Sequence, residues 1–307
     1  MKSAALPLLA LALSLACTPD KAASSAPTAL GNLPDGSLLR DAAPPRRCNG
    51  HEELCDRRYD EVAFPGTHNS HSAREYGYTV NANQVSGLAK QLEDGIRVML
   101  IDVYSDGDAG TVFCHGFCSL GETSHLAGLE QAKTFLDAHP DEVLTFIYED
   151  HVPPDLIAAD MQTAGLVPMT YVHEDGAPWP TLGEMIDRGT RLVVTAENAS
   201  PPPAWLQHVW DLAFDTPYTF FAETEFTCAL NRGAATNPLF LLNHWLSTNP
   251  GLNLPTEDGA KQVNTAAVLG ARAAQCRTET GHLPNFVAVD FYEDGDLFAV
   301  VDGLNGF

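Results

Sequence analysis

Apolar runs alternating with helical stretches over about 260 residues predict an α/β protein of the (β/α) barrel type, in a single domain. Three observations support this. The runs are rich in Val, Ile, Leu and Phe without polar alternation, as in strands covered on both faces. The stretches between them have helical spacing. Each run also delivers an ionisable or amide residue at its end, as barrel strands do where they converge on one mouth. A doubly wound open sheet is the alternative arrangement.

Strands are expected at 61–64, 96–104, 111–114, 143–149, 191–196, 239–243 and 286–291. The first passes through Pro65-Gly66 to His68 and Asn69. The second carries Asp102, the third runs into His115, and the fourth ends on Glu149. The fifth runs into Glu197, the sixth ends on Asn243 with His244 next, and the last contains Asp290. Helices are expected at 123–138, 154–164, 181–188 and 259–276. In the last, Ala260, Val263, Ala267, Val268 and Ala271 fall near helical spacing. Solvation alone explains one polar strand ending, but not the whole series.

The chain has 307 residues, 40 of them acidic and 17 basic, for a net charge of -23. That balance excludes nucleic acid as a partner, since phosphates demand a basic footprint. It also excludes adsorption to anionic lipid through a polybasic patch. Lys2 followed by an apolar stretch from Ala4 to Ala16 reads as a signal peptide over 1–16, too short to span a bilayer. Ser14-Leu15-Ala16-Cys17 resembles a bacterial lipobox, and the same small residues suit cleavage after Ala16 without lipidation. The chain is therefore expected to be exported, either as an outer-membrane or cell-surface lipoprotein anchored through Cys17 or as a freely secreted protein. Residues 17–47, rich in Ala, Ser, Pro and Gly, read as a tether, and 48–307 as the folded domain. Of the seven cysteines, Cys48, Cys55, Cys114, Cys118, Cys228 and Cys276 remain after Cys17, an even set expected to form disulfides. Proximity favours Cys48–Cys55 and Cys114–Cys118, leaving Cys228–Cys276, although six cysteines permit other pairings.

Two histidines and several carboxylates at one mouth suit acid–base catalysis, with one imidazole removing a proton and the other supplying one. Carboxylates there can orient imidazoles or bind a cation. The segments "PGTHNS", "QLEDGIRVMLIDVY" and "CHG" resemble, in order and spacing, the X region of phosphatidylinositol-specific phospholipase C. "VLTFIYED" is similar to the next strand of calcium-dependent members, and "NFVAVDFYEDGD" to the closing strand of bacterial ones. The resemblance spans Tyr59 to Asp296 and is tightest from Phe64 to His151. It implies a distorted (β/α)8 barrel that cleaves a phosphoinositide or another inositol phosphodiester through a cyclic inositol phosphate. His68 would be the general base on the inositol 2-hydroxyl, and His115 the acid that protonates the departing diacylglycerol oxygen. Asp290 would hold His68 in its working tautomer, by analogy with triad logic.

The same resemblance raises the question of a cation. Metal-independent members have Asp-x-Arg on the second strand and calcium-dependent ones Glu-x-Asp, whereas this chain has Leu100-Ile101-Asp102. The arginine is absent, which implies calcium, the competing account being that another arginine, such as Arg74 or Arg232, serves the phosphate and makes metal unnecessary. Asn69, Asp102 and Glu149 match the remaining ligand positions, and Leu100 stands where a further acid would be. Glu197, Asn243 and His244 are expected to line the mouth and bind substrate. Trp245, Tyr218 and Phe220 are candidates for contact with lipid or a sugar ring, or for the core. A glycerophosphodiesterase or sphingomyelinase-D-like barrel is a rival reading, but their His-Arg-Gly or His-Trp-Asp signatures are missing. A non-catalytic lipoprotein binding a sugar or lipid headgroup is another, prompted by Leu100.

Overall fold

The computed structural model describes residues 45–107, 110–248 and 251–307. The expected signal peptide, Cys17 and the tether up to residue 44 lie outside the described residues. Arg46, within the last residues of the expected tether, pairs with Asp141 at 3.3 Å and Asp187 at 2.6 Å.

Eight parallel strands follow one another around a curled sheet, with a ninth of two residues, Thr170–Tyr171, beside the start of the fourth: β1 (Phe64–Thr67), β2 (Val98–Ser105), β3 (Leu144–Asp150), β4 (Leu192–Ala196), β5 (Leu206–His208), β6 (Ala213–Asp215), β7 (Leu239–His244) and β8 (Phe286–Val289). Pairing runs β5–β4–β3–β2–β1–β8–β7–β6. Among the described residues no ladder joins β5 to β6, so the barrel is open there. Those two strands have only three residues each, with the short helix Val209–Leu212 between them. The free edge of β6 is covered by a return of the chain: Phe214 bridges Gly233, and Asp215 N donates to Arg232 O. Gly233 is needed at this point. Its φ is +79°, and a Cβ would meet Ala213 O at 2.1 Å.

The first strand lies at Phe64–Thr67, three residues later than expected, because Tyr59–Glu61 turns as a 3-10 helix. Pro65 is tolerated because pairing with β2 begins only at Gly66. A Cβ on Gly66 would lie 3.2 Å from the Val98 Cβ, so the small residue lets β1 and β2 approach. The expected strand at Thr111–Cys114 forms, but as an antiparallel arm rather than a barrel strand. It pairs with the end of β2, Val103 opposite Phe113, and then with Glu122–Ser124. β2 overshoots the mouth and the chain folds back, so His115 enters from above.

Helices at His125–Ala138, Pro154–Thr163 and Leu182–Asp187 match the expected spans. The expected helix at 259–276 is broken into Glu257–Val263, a π turn at Ala266–Gly270 and Ala271–Thr280. The break falls where Asn264 turns its amide to Asp290 O at 2.8 Å and Thr265 caps Val268 N. Inside the barrel, Phe64, Val98, Ile147, Val193, Leu241 and Phe286 pack as one apolar plug. A second cluster lies between the sheet and the helices. The plug fills the floor, and the cavity lies at the polar strand ends. The three disulfides that proximity favours are the ones formed: Cys48–Cys55, Cys114–Cys118 and Cys228–Cys276.

Candidate active site

At the C-terminal ends of the strands lies a cavity of about 260 Å³, lined by His68, Asn69, Asp102, Glu149, Glu197 and Arg232 among others. A second lobe of about 280 Å³ shares His68, Asn69, Asp102 and Glu149 and adds His115 and Tyr104.

His68 follows β1 directly, and its backbone N–H continues the ladder to Val289 O at 3.0 Å. Its Nδ1 lies 2.8 Å from Asp290 Oδ1, just past β8. Asn83 Nδ2 donates to the same carboxylate oxygen at 2.9 Å. The Trp245 ring stacks on the imidazole, with centroids 3.8 Å apart and planes 4° apart. With Nδ1–H donated to Asp290, Nε2 is the free nitrogen and faces the cavity. His115 is oriented in the same way from the opposite side. Its Nδ1–H donates to Asn81 O at 3.0 Å, which turns Nε2 inward. Asn81 Nδ2 donates back to His115 O at 2.9 Å. The two ring centroids are 6.5 Å apart. Burial pushes the His115 pKa below its ordinary value.

Asn69, with φ +44°, stands between both rings and Asp102. In one orientation its Nδ2 donates to the Asp102 carboxylate at 2.9 and 3.3 Å, and its Oδ1 lies 3.2 Å from both Nε2 atoms, where it accepts only from a ring protonated at that nitrogen. The orientation of such an amide follows from its network. The reverse orientation sets an amide oxygen against a carboxylate, a contact that only a proton or a cation between them makes favourable.

The carboxylates crowd one another. Burial, then Glu149 and Glu197, holds the Asp102 carboxyl well above the usual range. Glu197 is pushed up to about 7, mainly by burial and against the pull of Arg232. Arg232 contacts Glu197 at 2.7 Å and Asp215 at 2.6 Å, with its guanidinium over the Trp210 and Tyr218 rings. Asn243 donates to Asp215 at 3.1 Å, and its own Oδ1 is buried without a partner among the described residues. A crowded set of acids with an amide oxygen suits a hard cation, and Asn69, Asp102 and Glu149 could hold one together. Among the described residues no three His, Cys, Asp or Glu side chains form a ready-made ion site, so water or substrate oxygens would have to complete the sphere. Leu100 lines the cavity beside Asp102 and supplies no oxygen.

The structure thus brings together His68, His115 and Asp290 on one side, Asn69, Asp102 and Glu149 in the middle, and Glu197 and Asn243 on the far wall. His244 is a correction. It is the residue after Asn243 on β7, so its side chain faces the helices, fully buried between Val263 O at 2.9 Å and Arg272 Nη1 at 3.1 Å. Phe220 is core, while Trp245 and Tyr218 line the mouth. Arg97 points away, to Glu142 at 2.6 Å. The pattern of strand endings missed Asp215, and with it what anchors Arg232, the arginine considered as an alternative to calcium. "LAFD" ends on an acid as the longer runs do, but its strand is too short to stand out.

The PI-PLC X family model matches residues 54–305. A PI-PLC X domain-containing protein of the fungus Arthroderma benhamiae is 32% identical over 275 residues, covering 84% of this chain and 89% of that protein. A protein of the same fungus named an uncharacterized secreted protein is 28% identical, covering 91% and 69%. The structure of phosphatidylinositol-specific phospholipase C from Staphylococcus aureus superposes with a TM-score of 0.58 at 14% identity, covering 82% of this chain and 95% of that one. That likeness establishes the barrel fold.

Proposed function

The chain belongs to the PI-PLC X family, a phosphodiesterase-type family, and from that premise we propose that it cleaves phosphatidylinositol-type lipids by paired imidazole catalysis. The observation that carries this reading is the pair of Nε2 atoms directed at one space, His68 backed by Asp290 and His115 by Asn81 O. His68 Nε2 takes the proton of the inositol 2-hydroxyl. That oxygen bonds to phosphorus as the bond to the glycerol oxygen breaks, and His115 Nε2 gives the departing oxygen its proton. Asp290 keeps Nδ1 protonated and stabilises the imidazolium that forms. The product is a cyclic inositol phosphate, open to later hydrolysis. Glu197 and Asn243 on the far wall suit the hydroxyls of a polyol.

Phosphate charge must be met. Among the described residues lining the cavity, Arg232 is the one Lys or Arg, and it is engaged by Asp215 and Glu197. Calcium held by Asn69, Asp102 and Glu149 would supply that charge when bound.

A lipid-borne substrate fits the rim. Phe117 is 72% exposed and Leu252 64%, and Phe221 is also exposed. Their neighbours Gly116, Asn253 and Thr219 line the mouth. With a net charge of -23, contact with a bilayer would be apolar rather than electrostatic. Export is supported by the three disulfides and by the secreted relative. Whether the chain is also anchored through Cys17 is open to mass analysis of its N-terminus. No described helix is long and apolar enough to cross a membrane.

His68→Ala and His115→Ala test the reading. Each should lower turnover by roughly 10²–10⁴-fold with folding intact. An activated aryl leaving group should restore much of the rate to His115→Ala and none to His68→Ala. Near-normal rates in both variants would overturn it. Leu100 favours a second reading, a barrel that binds the headgroup without turnover, and headgroup binding without product in the unaltered protein would support that instead.

A further inference from the structure

The arm that delivers His115 is rooted in a polar cluster outside the cavity, buried except at the partly exposed Asp160. Thr111 starts the arm, and His125 starts the helix that follows it. Both reach Asp160 on the helix Pro154–Thr163. His125 Nδ1 lies 2.9 Å from Asp160 Oδ2, and Thr111 Oγ1 donates to the same oxygen. The other ring nitrogen, His125 Nε2, lies 2.9 Å from the Tyr148 hydroxyl on β3. Tyr148 is the neighbour of Glu149, and Tyr148 and Glu149 pair with Ile101 and Asp102 of β2. His125 and Tyr148 are fully buried, and none of the four residues lines the cavity.

The proton pattern is complete. Asp160 accepts from Thr111 and from His125 Nδ1–H, which leaves Nε2 to accept from the Tyr148 hydroxyl. Burial lowers the His125 pKa against the pull of Asp160, in keeping with a neutral ring. An apolar cluster would hold the arm at less desolvation cost, but without direction. The connection to the mouth is short. The His125 ring meets the Phe113 ring edge-on at 4.9 Å, and Phe113 lies two residues before His115. Tyr78 fixes Phe113 O at 2.8 Å, and the Cys114–Cys118 disulfide closes the tip.

We propose that Thr111, His125, Tyr148 and Asp160 form a positioning network for His115, setting the height and rotation of the arm so that Nε2 meets the leaving oxygen. This rests on the reading of His115 as the general acid. Small displacements of a catalytic group cost up to about 100-fold in rate. The network therefore predicts a specific defect rather than a general one.

The test compares an alkyl-leaving inositol phosphodiester with an activated aryl-leaving one, alongside thermal melting. Asp160→Asn should lower kcat for the alkyl substrate by about 10-fold or more, leave KM unchanged, and lower kcat for the aryl substrate by less than about 3-fold. Tyr148→Phe removes one oxygen only and should show a weaker version of the same split, so it carries the test if Asp160→Asn does not fold. Equal losses on both substrates, or no loss on either, in the folded variants would overturn the network and leave a purely structural cluster. If His115→Ala itself shows no leaving-group dependence, the acid assignment fails, and the proposal with it. If His115→Ala shows the split and the network variants do not, only the network fails.

Discussion

The His115 ring is pushed below the ordinary histidine pKa by burial, yet in the proposed role of general acid it must act protonated. The sign follows directly. Its protonated fraction falls as pH rises through its pKa, so a lowered pKa brings the alkaline limb of kcat/KM below the ~6.5 of a free imidazole. A bound phosphodiester anion favours the protonated ring and should move the limb of kcat to higher pH. Full pH profiles of both parameters should show this separation, and coincident limbs would contradict it. Asp102 is perturbed in the other direction, with a carboxyl held well above the usual range by burial and by Glu149 and Glu197. A divalent cation could relieve that crowding. Activity should therefore vanish in excess EGTA and EDTA, return with calcium, and need more calcium after Asp102→Asn. Full activity under chelation, with Asp102→Asn equally active, would eliminate the cation.

At the scale of elements, the arm Thr111–Cys114 and its disulfide hold His115 over the mouth. The Cys114–Cys118 ring is short, with a sequence separation of 4, so it constrains the unfolded chain little. Replacing both cysteines with serine should lower turnover by about 10-fold while shifting the melting temperature by only a few degrees. Unchanged turnover in the variant would show that the arm needs no closure. This arm also marks where the sequence was hardest to read. Its apolar residues predict a strand correctly but carry no sign of direction, since burial looks the same for parallel and antiparallel partners. Strands β5 and β6 have three residues each, below the length at which a run stands out, and with them the opening of the barrel and the anchoring of Arg232 by Asp215 went unseen. His68, His115 and Asp290 were legible because each follows an apolar run whose end must reach the mouth. His244 was misread by one step of strand alternation: Asn243 faces inward, so the next residue cannot.

For the whole molecule, the net charge of -23, the disulfides and the apolar rim fit the proposal of an exported protein that would meet a lipid surface without electrostatic help. The alternation of strands and helices predicted the barrel and left the doubly wound open sheet as an alternative, because both arrangements bury a sheet on two faces. The central claim is that this barrel makes a cyclic inositol phosphate with two imidazoles. The measurement that tests it most directly is phosphorus NMR of vesicles containing phosphatidylinositol, incubated with the protein and calcium. The account predicts loss of the lipid diester signal and growth of the downfield signal of a five-membered cyclic phosphate, with neither change for His68→Ala. An unchanged lipid signal, a product formed without a cyclic species at any time, or the same product from His68→Ala would contradict it.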